Sequence, residues 1–179
     1  PSTDLTEEQL IESENFSRAN PSLTTRFAVP AYWTVEYYKI PNGTDGTKSG
    51  LDKYSGYDCL MLGVWYDRGN ATVSLANSRI YRTSHLMPGT YYFGVYPDYN
   101  SGMNDKAHIY ASPDNVAKTK LPSTATAYYE INKLPNGWSG LQFTLDQEQD
   151  INVGIQANLS VGGNEQEFRV RRVKLLRYD

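Results

Sequence analysis

The sequence predicts an all-β, two-sheet antiparallel jelly-roll sandwich, and three observations carry that expectation. Fifteen tyrosines and three tryptophans stand in a chain of 179 residues, and ring-bearing side chains favour strands over helices. Apolar residues alternate with polar ones in short runs separated by Gly, Pro and Asn turns. No long stretch carries the 3.6-residue apolar period of an amphipathic helix.

The elements follow in chain order. Residues 1–26 stand apart, because DLTEEQLIESENFS carries five acids and no base. A short helix over 6–14, capped by Asp4 or Thr6, is one expectation for them; a linker to a preceding domain is the other. The sandwich is expected over 27–179. YWTVEYYKI alternates Trp33, Val35 and Tyr37 against Tyr32, Thr34, Glu36 and Tyr38. PNGTDGTKSG then reads as a loop or long hairpin connection. DCLMLGVWY puts Leu60, Leu62, Val64 and Tyr66 on one face and Met61 and Trp65 on the other, as in a central strand covered on both sides.

A turn, a short strand at 71–75 and another at about 79–86 come next. After the MPG turn, Tyr91, Phe93 and Val95 share one side of a strand while Tyr92, Gly94 and Tyr96 share the other. DYNSGMNDKAH is a long polar loop, IYAS a short strand, and 112–127 a polar stretch with prolines at both ends. AYYEINKL and the turn PNGWSG precede two alternations, Leu141/Phe143/Leu145 and Ile151/Val153/Ile155. In EFRVRRVKLLRY the alternation slips at Arg171–Arg172, which predicts a bulge. Val173 and Leu175 then resume it.

IYRTSHLMPGTYYFGVY resembles the Y-x-x-V-x-L-P-A-G-x-Y-x-F hairpin of galactose-binding-like jelly rolls. Such carbohydrate-binding-module-like domains occur in poorly characterised surface lipoproteins of Bacteroidetes. WSGLQFTLDQEQDINVGIQANLS and FRVRRVKLLRY are similar to the last two strands of that pattern, so the likeness covers roughly residues 30 to 179. His85 and Met87 depart from it, each standing where an apolar or small residue is usual. The resemblance implies a non-catalytic carbohydrate-binding role at the cell surface or in the periplasm, with a lipid anchor on the full-length precursor. A structural or protein-contact domain of a larger surface assembly, with no glycan ligand, is the competing expectation.

Several function classes are disfavoured. A net charge of −3 gives no basic field for nucleic acid, and the basic residues near the C-terminus read as a solvated strand face. No run of apolar residues is long enough to span a membrane. Cys59 is the only cysteine, so no internal disulfide forms, and its apolar setting predicts a buried, inert thiol. Two histidines, His85 and His108, are too few for a three-histidine metal site, and no H-E-x-x-H, G-x-S-x-G or P-loop pattern occurs. His85 reads as a hydrogen-bonded surface histidine. Glu36 and Glu130, each beside tyrosines, are the acids a glycosidase would need; solvated carboxylates on an outer face are the simpler reading.

No cofactor is expected. Structural Ca²⁺ is the ionic alternative, and its weak ligand set would be Asp98, Asn100, Asn104 and Asp105, since D-x-N-x-G lacks the full loop with its bidentate Glu. Tyr91, Phe93, Trp33, Phe143 and Phe168 are core by default. The doublets Tyr37–Tyr38, Tyr91–Tyr92 and Tyr128–Tyr129 must each send one ring outward, because side chains alternate along a strand. Outward rings stack on sugar faces while nearby polar groups hold the hydroxyls. The candidate ligand residues are therefore Trp138, Tyr96, Tyr92, Tyr38, Glu36, Tyr66, Arg68 and Tyr99.

Overall fold

A computed structural model describes residues 7–13, 15–37, 47–54, 56–64, 76–103, 106–131, 137–159 and 166–178. The strands are β1 (Glu7–Ser13), β2 (Thr34–Glu36), β3 (Thr47–Tyr54), β4 (Tyr57–Val64), β5 (Ala76–Leu86), β6 (Gly89–Ser101), β7 (Ala107–Pro113), β8 (Ala127–Ile131), β9 (Ser139–Leu145), β10 (Gln149–Leu159) and β11 (Gln166–Tyr178). They form two antiparallel sheets. One has the order β3-β4-β11-β6-β9, with β1 also paired to β11; the other has the order β2-β5-β10-β7-β8. The fold is an all-β, two-sheet antiparallel jelly-roll sandwich. Consecutive strands β5 and β6 lie in different sheets, so MPG is a crossover between sheets and not a hairpin turn within one.

The period of two sorts the residues as the sequence requires. Tyr91, Phe93 and Val95 of β6, Leu141, Phe143 and Leu145 of β9, and Val173 and Leu175 of β11 face inward. Across the interior they meet Ile151, Val153 and Ile155 of β10 and Ile109 of β7. Each such side chain taken from water contributes about 1.5–3 kcal/mol. Tyr91 stacks on Phe143 with centroids 5.4 Å apart, and its hydroxyl donates to the Met87 carbonyl at 2.6 Å. The β11 bulge is present, because the register against β6 shifts on either side of Val170 and before Arg172.

Two segments depart from expectation. The acidic stretch read as a short helix forms β1, antiparallel to the end of β11. Its register sets Glu8 opposite Arg177 and Glu12 opposite Lys174, and Ile11 is buried in the core. A strand of acids finds a strand of bases about 165 residues away in sequence, beyond the reach of local propensity. The second departure is TKSG, the end of the stretch read as a loop or long hairpin connection, which opens strand β3. Leu51 and Leu60 sit opposite one another there and are both fully buried. The expected strand at 71–75 lies outside the described residues. Among those described, no helix is long and apolar enough to cross a membrane.

Candidate functional site

The outward-facing residues of β6 and β9 build a platform on the six-stranded sheet. Gly94 and Gly140 are directly opposite in register. A Cβ on either would come within 2.7 and 2.5 Å of the Tyr92 side chain. The Tyr92 ring therefore lies flat on two glycines, and partial burial raises its phenol pKa. Trp138, just before β9, meets Tyr96 edge-on at 5.8 Å and 85°. Lys174 places its ammonium 4.2 Å from the Trp138 ring and 5.7 Å from Tyr92, while Arg172 sits 5.1 Å over Trp138. Arg172 in turn lies 3.8 Å from the Glu12 carboxylate on β1.

Three of the sequence-selected residues, Trp138, Tyr96 and Tyr92, are thus neighbours drawn from one strand and the turn before another. All three are half-buried. Together they offer ring faces for the C–H face of a pyranose, with guanidinium and ammonium donors for its hydroxyls.

The remaining candidates are placed elsewhere. Tyr99 packs against Tyr54 with centroids 5.3 Å apart, beneath Arg169. Glu36 lies on the other sheet, where its carboxylate accepts from Arg79 at 2.9 Å and from the Tyr81 hydroxyl at 3.2 Å. Tyr38, Tyr66 and Arg68 lie outside the described residues, as do Asn104 and Asp105. Asp98 approaches the Cys59 thiol at 3.9 Å, and the Asn100 side chain accepts from the Met103 amide at 3.2 Å. Among the described residues no cluster of three His, Cys, Asp or Glu could hold a metal.

The basic side chains of β11 are not the solvated face their alternation predicted. Arg169 is buried, bonded to Asp52 and Glu167 at 3.1 and 3.0 Å and laid over Tyr54. Arg171 covers Tyr57 at 3.9 Å. Each cation has an aromatic ring within reach, and cation–π attraction keeps it there. Asp52 also pairs with Arg26 at 2.9 Å. Burial opposes its charge, but the two arginines prevail and hold the carboxyl below the usual range. Cys59 is fully buried, and desolvation with Asp98 nearby pushes its thiol up to about 12, which makes it inert.

The outer face of the five-stranded sheet holds an arrangement that sequence reading missed. Register aligns Glu36, Arg79, Gln156, His108 and Glu130 in one row, one residue from each strand. With strands about 4.8 Å apart, the two carboxylates are roughly 19 Å apart. Paired glycosidase acids stand about 5–9.5 Å apart, so these two are not such a pair. Arg79, Gln156 and His108 are nearly fully buried although they face away from the core. The 114–121 segment is tied down over Arg79, which donates to the Val116 carbonyl while Lys118 donates to that of Asn77, both at 2.9 Å, and the Tyr128 ring meets His108 edge-on at 5.8 Å. Burial pushes the His108 pKa down despite Glu130 at 3.6 Å. His85, by contrast, is exposed between Asp150 at 2.7 Å and Glu148 at 2.5 Å, and those two bonds raise its pKa.

No protein-family profile and no curated protein matches the chain. Some solved structures are similar to it at low identity. One is the carbohydrate-binding module TmCBM61 in complex with β-1,4-galactotriose, with 12% identity over 82% of this chain and 89% of that one, at a TM-score of 0.49. Another is TmCBM27, described for specific mannan recognition, with 12% identity over 96% and 98% and a TM-score of 0.44. A cleaved adhesin domain of Lys-gingipain from Porphyromonas gingivalis gives 13% identity, 96% of each chain and a TM-score of 0.45. At such identities and TM-scores the likeness assigns this chain no role.

Proposed function

We propose that this protein is a non-catalytic carbohydrate-binding module of a cell-surface or periplasmic protein, of the kind found in lipid-anchored Bacteroidetes lipoproteins. The observation that carries the reading is the Tyr92–Tyr96–Trp138 platform. Its rings come from different elements, and its polar rim is supplied by Arg172, Lys174 and Glu12. A sugar would lie against the ring edges and faces that the cations leave open, and its hydroxyls would accept from Lys174 and Arg172.

A screen of the domain on a broad glycan array tests this, with Trp138→Ala run in parallel. The expected result is binding to one glycan class, weakened at least about tenfold by the substitution, the equivalent of one ring's stacking. An array on which the parent chain binds nothing would reject it.

One observation favours the alternative of a protein-contact domain. Tyr128 and Tyr129 on the edge strand β8 are 52% and 50% exposed. They stand beside a strand edge whose backbone can pair with another chain.

A further inference from the structure

A cavity of about 310 Å³ opens at the seam between the sheets, lined by Glu12, Asn15, Phe16, Tyr32, Trp33 and Arg82 among others. It borders the platform at Glu12 and is large enough for one sugar residue. Its floor is rigid, because Phe16 and Trp33 are buried and meet edge-on at 6.0 Å.

Two side chains at this cavity are oddly placed for structural roles. Tyr32 has a φ of 68°, a left-handed conformation that bulky residues rarely adopt. The backbone around it is pinned. Ala31 donates to the Ser17 carbonyl at 2.8 Å and Ala19 to that of Val29 at 2.9 Å. Arg18, bonded to Asp58 at 3.0 and 3.2 Å, also donates to the Leu23 and Thr25 carbonyls. This network holds a strained residue whose ring is nonetheless 83% exposed. Strain kept without burial of the side chain points to a use for the ring.

The second is Arg82. It stands in an inward-facing register opposite Val153, one position beyond the pairing of β2, which begins at Thr34 opposite Tyr81. Arg82 places its guanidinium 5.3 Å over the Tyr32 ring, and it has no ion pair among the described residues. Among the described residues that line the cavity the acid is Glu12, and it lies 3.8 Å from Arg172.

We propose that this cavity is a second binding site, selective for the carboxylate-bearing sugar residues of acidic glycans, uronates or sialates. The carboxylate pairs with Arg82 and the ring packs on Tyr32. The choice of a sugar rests on the glycan-binding reading, whereas the choice of an anion rests on Arg82 alone.

The test is calorimetric titration with D-galacturonic acid and with N-acetylneuraminic acid, using methyl galacturonate as the uncharged control. At least one acid should bind, and the methyl ester should bind about tenfold more weakly, as the loss of a charge-assisted bond requires. Arg82→Gln should weaken acid binding by the same factor. Tyr32→Gly should weaken it while leaving the melting temperature equal or higher, because glycine accepts the positive φ. Absence of binding by either acid, acid binding unchanged in Arg82→Gln, or a lowered melting temperature in Tyr32→Gly overturns the proposal. Trp138→Ala separates the two sites: it should abolish neutral-glycan binding and leave acid binding intact. Failure of only one of those activities rejects one site without touching the other.

Discussion

On the six-stranded sheet, Tyr92, Tyr96 and Trp138 stand half-exposed among the cations of β11. On the five-stranded sheet, the equivalent outward positions hold Arg79, His108, Tyr110, Asn152 and Gln156, almost entirely shut off from solvent. Both faces follow the same period of two and lie outside the same core. The difference arises from what crosses over them. The 114–121 segment, tied down by Arg79 and Lys118, covers the β5 side of the second face, and Tyr128 meets His108 on the other. On the first face, Tyr92 lies on glycines and leaves the sheet shallow. A sealed polar face reports on stability, and an open aromatic face is available to a ligand.

That division can be broken most forcefully at glycines. Gly154 lies on the sealed face, where a Cβ would come within 2.1 Å of the Ile80 carbonyl oxygen, a backbone atom that cannot step aside. Gly154→Ala is expected to cost about 3 kcal/mol or more, measured by urea denaturation. Gly94→Ala meets only the Tyr92 ring, which can lift. Its stability cost should stay near 1 kcal/mol while glycan affinity changes.

Next in size is Arg79→Met. It removes the partner of Glu36 and the donor to Val116, and Glu36 keeps partial access to water. A loss of about 2 kcal/mol is expected, together with faster proteolysis within 114–121. Trp138→Ala should cost less than about 1 kcal/mol of stability, since the ring is only half-buried, yet it should abolish glycan binding.

The smallest effect concerns pH, where the two histidines act in opposite directions. Burial holds the folded pKa of His108 below its unfolded value, so the unfolded chain takes the proton first. Its stability contribution is complete above about pH 6.5 and declines as pH falls toward the folded pKa. The carboxylates around His85 raise its folded pKa, so its contribution is complete below about pH 6.5 and is lost as pH rises through the folded value. In melting curves from pH 8 to pH 5, His108→Gln should flatten the acid-side decline, and His85→Gln should steepen it.

Much of the fold was legible because alternation is local. The inner and outer rows of TYYFGVY, the core rings and the β11 bulge all follow from neighbours within one strand. The convergence of Tyr92, Tyr96 and Trp138 was partly legible, since the doublet forces one ring outward and the Gly-rich turn presents another. Pairing across long separations was hidden. Nothing near Glu7–Ser13 announces its basic partner strand, and the row from Glu36 to Glu130 exists only once five strands take their order. Arg82 was invisible for a related reason, since its place beyond the strand pairing depends on where β2 begins.

The most direct measurement is the affinity of the best array glycan for the parent chain, Trp138→Ala and the double substitution Tyr128→Ala/Tyr129→Ala, by calorimetry at one pH and salt concentration. Binding on the open aromatic face predicts loss in Trp138→Ala and unchanged affinity in the double variant. Unchanged affinity in Trp138→Ala, with loss in the β8 variant, would place recognition on the other sheet and contradict the account.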